Sequence, residues 1–234
     1  MFAGEIKQLW RYPVKGLRGE TLRSAVVDFD GLAGDRNLGL FEPGTDKSVW
    51  GGSHPKLMAW EAAFPAQCGC ADSASGDPVL YESGGAAWSA DDAALPDRLA
   101  ETIDAAKGVE LRKVSRDYGR MLVVFEASVH RLSEELGREV EVERFRPNVV
   151  VGTDLEPYAE TSIEPGTAIR LGAHEFTLQK PCERCVLPSW DPSGTNERDM
   201  ELHRHVIKAL GNHFGIYVRI NETATIAVGD PVGA

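Results

Sequence analysis

Apolar residues along the chain recur mostly in short runs of alternating polarity, which is the pattern of β-strands rather than of long helices. Within residues 1–65, apolar runs at 4–12 and 37–41 are separated by turn signals that contain glycine and proline. Three consecutive valines at 149–151 predict a buried strand, since β-branched residues favour strands. Many short strands at this spacing indicate a barrel or a sandwich. Further strands are predicted at residues 111–114, 121–125, 175–178, 215–220 and 224–228, and around residue 169.

Three segments show apolar residues at the spacing of an amphipathic helix. They are residues 91–106, 128–136 and 196–210. Gly137 follows the second segment and is predicted to end it, because glycine readily adopts the left-handed conformation found after helices. The expected fold class is therefore mainly β with peripheral helices, an α+β arrangement.

A stretch poor in large apolar residues separates two parts of the chain. Between residues 66 and 90 the residues are mostly Gly, Ser, Ala and Asp, and only Val79-Leu-Tyr81 interrupts them. This composition is typical of hairpins and loops. We therefore expect a β subdomain at residues 1–90 and a second domain at residues 91–234.

The overall charge restricts the partners that the chain can bind. Its 234 residues include 25 Lys and Arg against 36 Asp and Glu, a formal net charge of -11 at pH 7. Such an acidic surface repels phosphate backbones, so general nucleic-acid binding is not expected. No apolar run approaches the roughly 20 residues of a membrane-spanning helix, so no membrane association is expected. Met1 to Glu5 lack the features of a secretory signal, and the expected compartment is the cytoplasm.

The sharpest chemical signal is a pair of cysteines, Cys182 and Cys185, that follows a predicted strand. A four-cysteine zinc site would need Cys68 and Cys70 as well, although their one-residue gap is unusual for zinc. A thioredoxin-type dithiol would need a helix to begin at the pair, and Pro188 opposes such a helix. A third interpretation is a single thiolate, activated by neighbouring cations, that acts as a metal ligand or sulfur nucleophile. The fourth is a pair of small buried residues near a turn.

Five motifs, in this order, resemble those of a known family. They are Leu9-Trp-Arg-Tyr-Pro-Val-Lys15, Gly34-Asp-Arg36, Phe145-Arg-Pro-Asn148, Lys180-Pro-Cys-Glu-Arg-Cys185 followed by Asp191-Pro192, and Val228-Gly-Asp-Pro-Val232. Together they resemble the MOSC family, named after the molybdenum cofactor sulfurase C-terminal domain. The N-terminal motifs look like the β-barrel extension that accompanies this domain in the mitochondrial amidoxime-reducing component and its bacterial relatives. The resemblance runs from about residue 3 to about residue 232.

The resemblance implies a MOSC-type β-barrel with an N-terminal β subdomain packed against it and a molybdenum cofactor, molybdopterin, between the two. It implies that Cys185 is the molybdenum ligand and the catalytic residue, whereas Cys182 is not a ligand. Cations suit the anionic pterin phosphate, and arginine binds phosphate bidentately. The cofactor-binding residues implied by the resemblance are Lys15, Arg36, Arg146, Asn148 and Cys185.

The activity implied by the resemblance is reduction of small N-oxygenated compounds, such as N-hydroxylated bases and amidoximes, by oxygen-atom transfer. Electrons are expected from a separate protein, a ferredoxin or haem carrier with its reductase. The sequence contains neither a Gly-x-Gly-x-x-Gly fingerprint nor a cysteine set suited to an iron–sulfur cluster. Two alternatives stay open: a sulfur-carrier or cofactor-handling protein with a persulfide on Cys185, and a metal-free binding module. The family as a whole is also associated with pyridoxal phosphate binding.

Some positions depart from the usual family pattern. Members usually continue the cysteine motif with a threonine, and they carry an arginine before the proline of the segment after the first barrel strands. Here Pro188 stands at the first position, and His54 precedes Pro55 at the second. An acidic residue often found on the pocket rim is matched best by Asp117. These departures imply that the substrate pocket differs in its chemistry.

Overall fold

The computed structural model describes residues 2–65, 74–114 and 120–234. The strands in these ranges are β1 (Ala3–Arg11), β2 (Glu20–Leu22), β3 (Ser24–Asp28), β4 (Gly31–Leu32), β5 (Leu38–Phe41), β6 (Ser48–Val49), β7 (Glu61–Ala63), β8 (Val79–Tyr81), β9 (Ala87–Ser89), β10 (Glu110–Lys113), β11 (Met121–Phe125), β12 (Val149–Thr153), β13 (Ala168–Leu171), β14 (His174–Glu183), β15 (His213–Arg219), β16 (Ala224–Ala227) and β17 (Pro231–Gly233). The helices are α1 (Leu95–Thr102), α2 (Glu126–Leu136) and α3 (Met200–Ala209). Short 3-10 turns lie at Pro55–Ala59, Val142–Phe145, Ala159–Ser162 and Leu187–Ser189.

Seven of the described strands close into a barrel. Around the wall they follow the order β1, β12, β11, β15, β14, β13 and β17, and β17 pairs again with β1. Neighbouring strands are antiparallel except β11 and β12, which run parallel. The first strand of the chain thus completes a barrel whose other strands come from the second half of the chain. Closure pairs the backbone groups that an open sheet would leave at its edges.

The barrel wall is apolar on both faces where helices cover it. On β11, Met121, Val123 and Phe125 belong to the core inside the barrel. Leu122 and Val124 belong instead to the apolar layer that includes residues of α2 and α3. Because successive side chains of a strand point to opposite faces, burial on both faces requires an unbroken apolar run.

A smaller lobe lies beside the barrel. It contains one sheet of β5, β6 and β10 and another of β7, β8 and β9, as far as the described residues show. Its core includes Leu40 and Trp60, and Leu95 and Leu99 of α1 pack into the same core. Both α1 and β10 therefore pack with this lobe although they follow residue 90. The domain boundary at that residue stays a prediction.

The apolar pattern located the described helices, with differences at their ends. Helix α2 ends where expected, since Gly137 follows it in the left-handed conformation with φ 66°. Helix α3 begins only after Asp199, whose carboxylate accepts a hydrogen bond from the backbone N of Leu202 at 2.9 Å and so caps the helix. Residues 196–198, expected to be helical, precede this cap. Helix α1 is shorter than the predicted range 91–106 because the residues before it form turns.

The fold class is confirmed: a mainly β protein with a barrel, peripheral helices and an N-terminal β subdomain. The sequence pattern did not reveal β17, which begins at Pro231 and is only three residues long. This strand exists because it pairs with β1 on one side and with β13 on the other. Within the described ranges, no helix has the length and apolar character needed to cross a membrane.

A buried carboxyl group lies where the 3-10 turn Ala159–Ser162 contacts the barrel strands β14 and β15. Glu160 is only 1% exposed, and its Oε2 accepts a hydrogen bond from Oγ of Ser128 at 2.9 Å. Its Oε1 has no hydrogen-bond partner among the described residues. Burial, opposed in part by the hydrogen bond from Ser128, raises the pKa of Glu160 to about 7.

Replacing this carboxyl group should change how stability depends on pH. A pKa raised by folding means that Glu160 favours the folded state below its ordinary pKa of 4.5 and that this contribution is lost as pH rises to about 7. Glu160→Gln should therefore raise the free energy of unfolding by about 3 kcal/mol near pH 8 and by much less near pH 4. Urea denaturation at both pH values measures the difference. Glu156→Gln, at an exposed position nearby, is the control, and a gain from Glu160→Gln that does not depend on pH would contradict the prediction.

Candidate functional site

The two cysteines near the end of β14 occupy different environments. Cys182 lies within the strand, is 2% exposed and packs in the apolar layer under the helices. Cys185 lies two residues beyond the strand and is exposed, and both cysteines are free thiols. The chain then forms only the 3-10 turn Leu187–Ser189, which contains Pro188. The described structure therefore lacks the helix that a thioredoxin-type dithiol requires.

The exposed thiol lies on the wall of a pocket of about 350 Å³. Because the whole chain carries a net charge of -11, the concentration of guanidinium groups in this pocket marks it as a site for an anion. Glu183 is the only acidic side chain among the described residues that line it. The polar residues of the wall are Arg36, Arg120, Arg146, Asn148, Cys182, Glu183, Arg184, Cys185 and Tyr217.

Arg36 and Arg146 face the same aromatic ring. Their guanidinium carbons lie 4.8 Å and 4.2 Å from the centroid of the Tyr12 ring, within the range of a cation–π interaction. The Nη2 of Arg36 donates a hydrogen bond to the carbonyl of Arg146 at 3.0 Å. Both arginines have a left-handed backbone with φ 51°, which is uncommon outside glycine and persists only where the surroundings fix it. The fold thus brings together two cations that are 110 residues apart in sequence.

A buried carboxylate neutralises one of these two charges. Oδ2 of Asp35 accepts a hydrogen bond from Nη1 of Arg36, and Oδ1 accepts one from the backbone N of Tyr12 at 2.8 Å. Burial disfavours the charged guanidinium, but Asp35 and then Tyr12 outweigh this effect and raise the pKa of Arg36 above its ordinary value. Arg36 therefore stays a cation at any physiological pH.

The charge of Arg146 is compensated less completely. The side chain is buried, and its Nη1 donates to the carbonyl of Leu17 at 2.6 Å. Its Nη2 is buried without a hydrogen-bond partner among the described residues. Burial, followed by repulsion from Arg36, lowers the pKa of Arg146 to about 10. An anion that accepts from this N–H group would pair the buried donor and would also balance the buried positive charge. Arg146 therefore fits the phosphate of an anionic cofactor.

Asn148 connects three parts of the site. Its Oδ1 accepts hydrogen bonds from the backbone N of Leu122 at 3.1 Å and from Nη1 of Arg36 at 3.3 Å. Its Nδ2 donates to the carbonyl of Trp10 at 3.3 Å. The side chain is 1% exposed, and its hydrogen bonds join β1 and β11 to Arg36. These contacts give Asn148 a supporting role, and its direct contact with a cofactor stays a prediction.

The arginine next to the exposed thiol in sequence contacts the buried thiol instead. Nη1 of Arg184 donates to Sγ of Cys182 at 3.0 Å, and Nη2 donates to the carbonyl of Phe145 at 2.8 Å. Tyr217 lies beside the same sulfur, and burial, followed by Cys182, raises the pKa of Tyr217 to about 12. The Tyr217 hydroxyl therefore keeps its proton at neutral pH. Cys182 is held in the wall by these groups, while Cys185 is exposed.

Lys15 is the predicted site residue that the structure does not bring into the pocket wall. Its backbone N donates to the carbonyl of Leu38 at 2.8 Å, which holds Lys15 beside the start of β5. The described pocket lining does not include it. A role for Lys15 in cofactor binding stays a prediction.

Two residues of the pocket wall, Arg120 and Tyr217, had no role predicted from the sequence, and neither had Tyr12, which contacts two arginines of that wall. Tyr12 lies in one of the recognised motifs, and its position before Pro13 was the available signal. Arg120 and Tyr217 reach the pocket from the start of β11 and from β15, and a sequence does not show which strand faces line a pocket. The interpretations that concern Cys68, Cys70 and Asp117 lie outside the described residues.

Comparison with known proteins separates the chain into two matched regions. Residues 3–95 match the MOSC N-terminal beta barrel domain, and residues 114–233 match the MOSC domain. The two matches together cover most of the chain. The chain belongs to the MOSC family.

Individual relatives agree with this membership. Human mitochondrial amidoxime reducing component 2 is 30% identical over 129 residues, and human mitochondrial amidoxime-reducing component 1 is 31% identical over 129 residues. Each alignment covers 50% of this chain and 37% of the relative, so the match spans well under half of the relatives' length. The solved structure of the YUAD protein from Bacillus subtilis is 14% identical, with a TM-score of 0.51 over 99% of this chain and 94% of that one. This likeness shows the fold alone.

Alkylation should distinguish the two thiols of the site. In the folded protein, N-ethylmaleimide should modify Cys185 at least about tenfold faster than Cys182, because only Cys185 is exposed. Mass spectrometry of peptides, taken at successive times, measures the alkylated fraction of each cysteine separately. Denaturant should bring the two rates together. Equal rates in the folded protein would be inconsistent with the burial of Cys182.

Proposed function

We propose that this protein is a molybdenum-cofactor-dependent oxidoreductase that reduces small N-oxygenated compounds of the N-hydroxylated and amidoxime type. The supporting observation is an exposed thiol, Cys185, in the same pocket as the buried and incompletely paired Arg146. A thiolate is a suitable soft ligand for a transition metal, and buried guanidinium groups suit a phosphate. The names of the human relatives, amidoxime-reducing components, agree with this type of reaction.

The residues present fit such a cofactor. Cys185 would bind the molybdenum, and Arg36 and Arg146 would hold the anionic pterin and its phosphate. Arg146 offers a buried N–H donor that nothing in the described protein accepts. Asn148 would support this arrangement through its bonds to Arg36 and to two strands, and Lys15 completes the proposed set.

When bound, the cofactor would supply two-electron exchange and oxygen-atom transfer at the metal. The chain contributes binding and orientation. Arg36 is fixed before any ligand arrives by Asp35 and by the face of Tyr12. Preorganised charge of this kind stabilises an anion without further rearrangement of the protein. Tyr217 keeps a protonated hydroxyl on the pocket wall, beside the buried sulfur of Cys182.

Electrons would come from a separate donor protein, a ferredoxin or a haem carrier served by a reductase. The sequence contains no Gly-x-Gly-x-x-Gly fingerprint through which the chain itself would take electrons from a pyridine nucleotide. The donor is expected to dock at a localised charged patch near the mouth of the pocket, where opposite charges would steer the encounter. The cytoplasm is the proposed location.

A second use of the same thiol is sulfur transfer. Cys185 is exposed and could carry a persulfide, as a sulfur carrier or cofactor-handling protein requires. Near-stoichiometric molybdenum in protein from a host that supplies the cofactor supports the reductase. Metal-free protein with cyanide-labile sulfur on Cys185 supports the carrier. Protein with neither would be a metal-free binding module.

The proposed function predicts different results for the two cysteines. Cys185→Ala should remove roughly nine-tenths or more of the bound molybdenum, because it deletes the proposed ligand. Cys182→Ala should retain most of the metal and should cost some stability, because the buried sulfur packs against apolar residues and accepts from Arg184. Elemental analysis and thermal unfolding measure both effects. Equal loss of metal from the two variants would refute the assignment of Cys185 as the single thiolate ligand.

The electron path can be tested with benzamidoxime as substrate. The loaded protein should be inactive with NADPH alone and should turn over when a reductase and a ferredoxin or haem carrier are added. Turnover through the carrier should fall severalfold as salt rises from about 0.05 M to about 0.5 M, because screening weakens steering between opposite charges. Reduced methyl viologen is the control donor and should depend much less on salt. Sustained reduction with NADPH alone would show that the proposed electron path is wrong.

A further inference from the structure

One aromatic ring lies against both cations of the proposed anion site. The guanidinium carbons of Arg36 and Arg146 are 4.8 Å and 4.2 Å from the centroid of the Tyr12 ring. Tyr12 is 2% exposed, so these contacts are formed away from bulk water, where cation–π attraction is strongest. The proposed function uses this ring only to fix Arg36 and assigns it no task that involves Arg146.

The two guanidinium groups need such a contact because they repel one another. Both are charged, and Asp35 is hydrogen-bonded to Arg36 but not to Arg146 among the described contacts. The repulsion from Arg36 contributes, after burial, to a lowered pKa of Arg146. A ring whose electron-rich face attracts cations offsets this repulsion without a second carboxylate, which would compete with an incoming anion.

Tyr12 is itself held firmly. Its backbone N donates to Oδ1 of Asp35 at 2.8 Å, and its carbonyl accepts from the backbone N of Arg36 at 2.7 Å. Its ring stacks on the ring of Trp10, with centroids 6.3 Å apart and planes 12° from parallel. The Tyr12 hydroxyl, by contrast, has no hydrogen-bond partner among the described residues. Tyr12 therefore contacts the two arginines through the face of its ring and not through its hydroxyl.

We propose that Tyr12 is a positioning residue whose ring face holds Arg36 and Arg146 side by side in the geometry that binds an anion. This inference rests on the proposed function only in the identity of the anion, the phosphate of the cofactor. The claim about the ring concerns the cofactor-free chain and is tested with inorganic phosphate as the probe.

The test weakens the ring face while preserving its shape. Tyr12 is replaced by phenylalanine and then by phenylalanines with increasing numbers of ring fluorines. Each added fluorine makes the electrostatic potential over the ring face less negative and so weakens its attraction for cations. Phosphate is titrated into each full-length, cofactor-free variant, and affinity is measured from the NMR signals of the arginine Nε–H groups. Thermal unfolding of each variant shows whether it is folded.

The matched control uses a second cation–π pair outside the pocket. The guanidinium carbon of Arg112 lies 4.0 Å from the centroid of the Phe41 ring, and neither residue lines the proposed site. The same fluorinated residues at position 41 should leave phosphate affinity unchanged. This control separates the effect of the Tyr12 ring from a general effect of fluorinated residues.

Tyr12→Phe should bind phosphate within about twofold of the unsubstituted chain, and affinity should then fall stepwise to about tenfold weaker in the most fluorinated variant. A flat series in folded variants would overturn the proposal. So would a full loss in Tyr12→Phe, which would assign the effect to the hydroxyl, or an unsubstituted chain that binds no phosphate. A graded series in a chain that never acquires molybdenum would refute the proposed function and leave the role of Tyr12 standing.

Discussion

The antiparallel pairing of β1 with β12 is the contact on which the barrel and the candidate site both depend. The backbone N of Trp10 donates to the carbonyl of Asn148 at 2.8 Å, and Nδ2 of Asn148 donates to the carbonyl of Trp10 at 3.3 Å. These two residues are 138 positions apart in sequence. The pairing completes the barrel wall. Tyr12 follows Trp10 by two residues and Arg146 precedes Asn148 by two, so the pairing also places Tyr12 beside Arg146. A site made in this way exists only when the barrel is closed.

The same pairing prevents the two lobes from being independent modules. β1 lies at the start of the region that matches the N-terminal domain, yet it is a strand of the barrel. β16, near the end of the chain, pairs with β3 near its start, and both belong to the barrel core. Because these contacts join strands from the two ends of the chain, the fold unites both regions in one structure. The cationic pocket is therefore lined by side chains from both regions, such as Arg36 from the first and Arg146 from the second.

Sequence patterns predicted the fold class and the strongly periodic elements but not every element. β11 and α2 were found because an unbroken apolar run and a terminal glycine are local signals. β17 carries no such signal, since three residues beginning with proline become a strand only through their neighbours. The motifs likewise named Arg36, Arg146 and Cys185, which the fold gathers in one pocket. They could not show that one ring faces both arginines, because that fact depends on two left-handed turns and a long-range pairing.

The charge of the pocket connects its structure to the need for a ligand. Burying a guanidinium group is costly unless its N–H donors are paired, and Arg146 keeps one buried donor unpaired among the described residues. A second carboxylate at this point would have neutralised Arg146 and closed the site to anions. The protein instead has one carboxylate, Asp35, for Arg36 and an aromatic face for both cations. An aromatic face attracts cations without carrying a net charge, so the pair remains one positive charge in excess. The excess charge is what an anionic cofactor would neutralise, and its binding to the folded state alone would add to the stability of the fold.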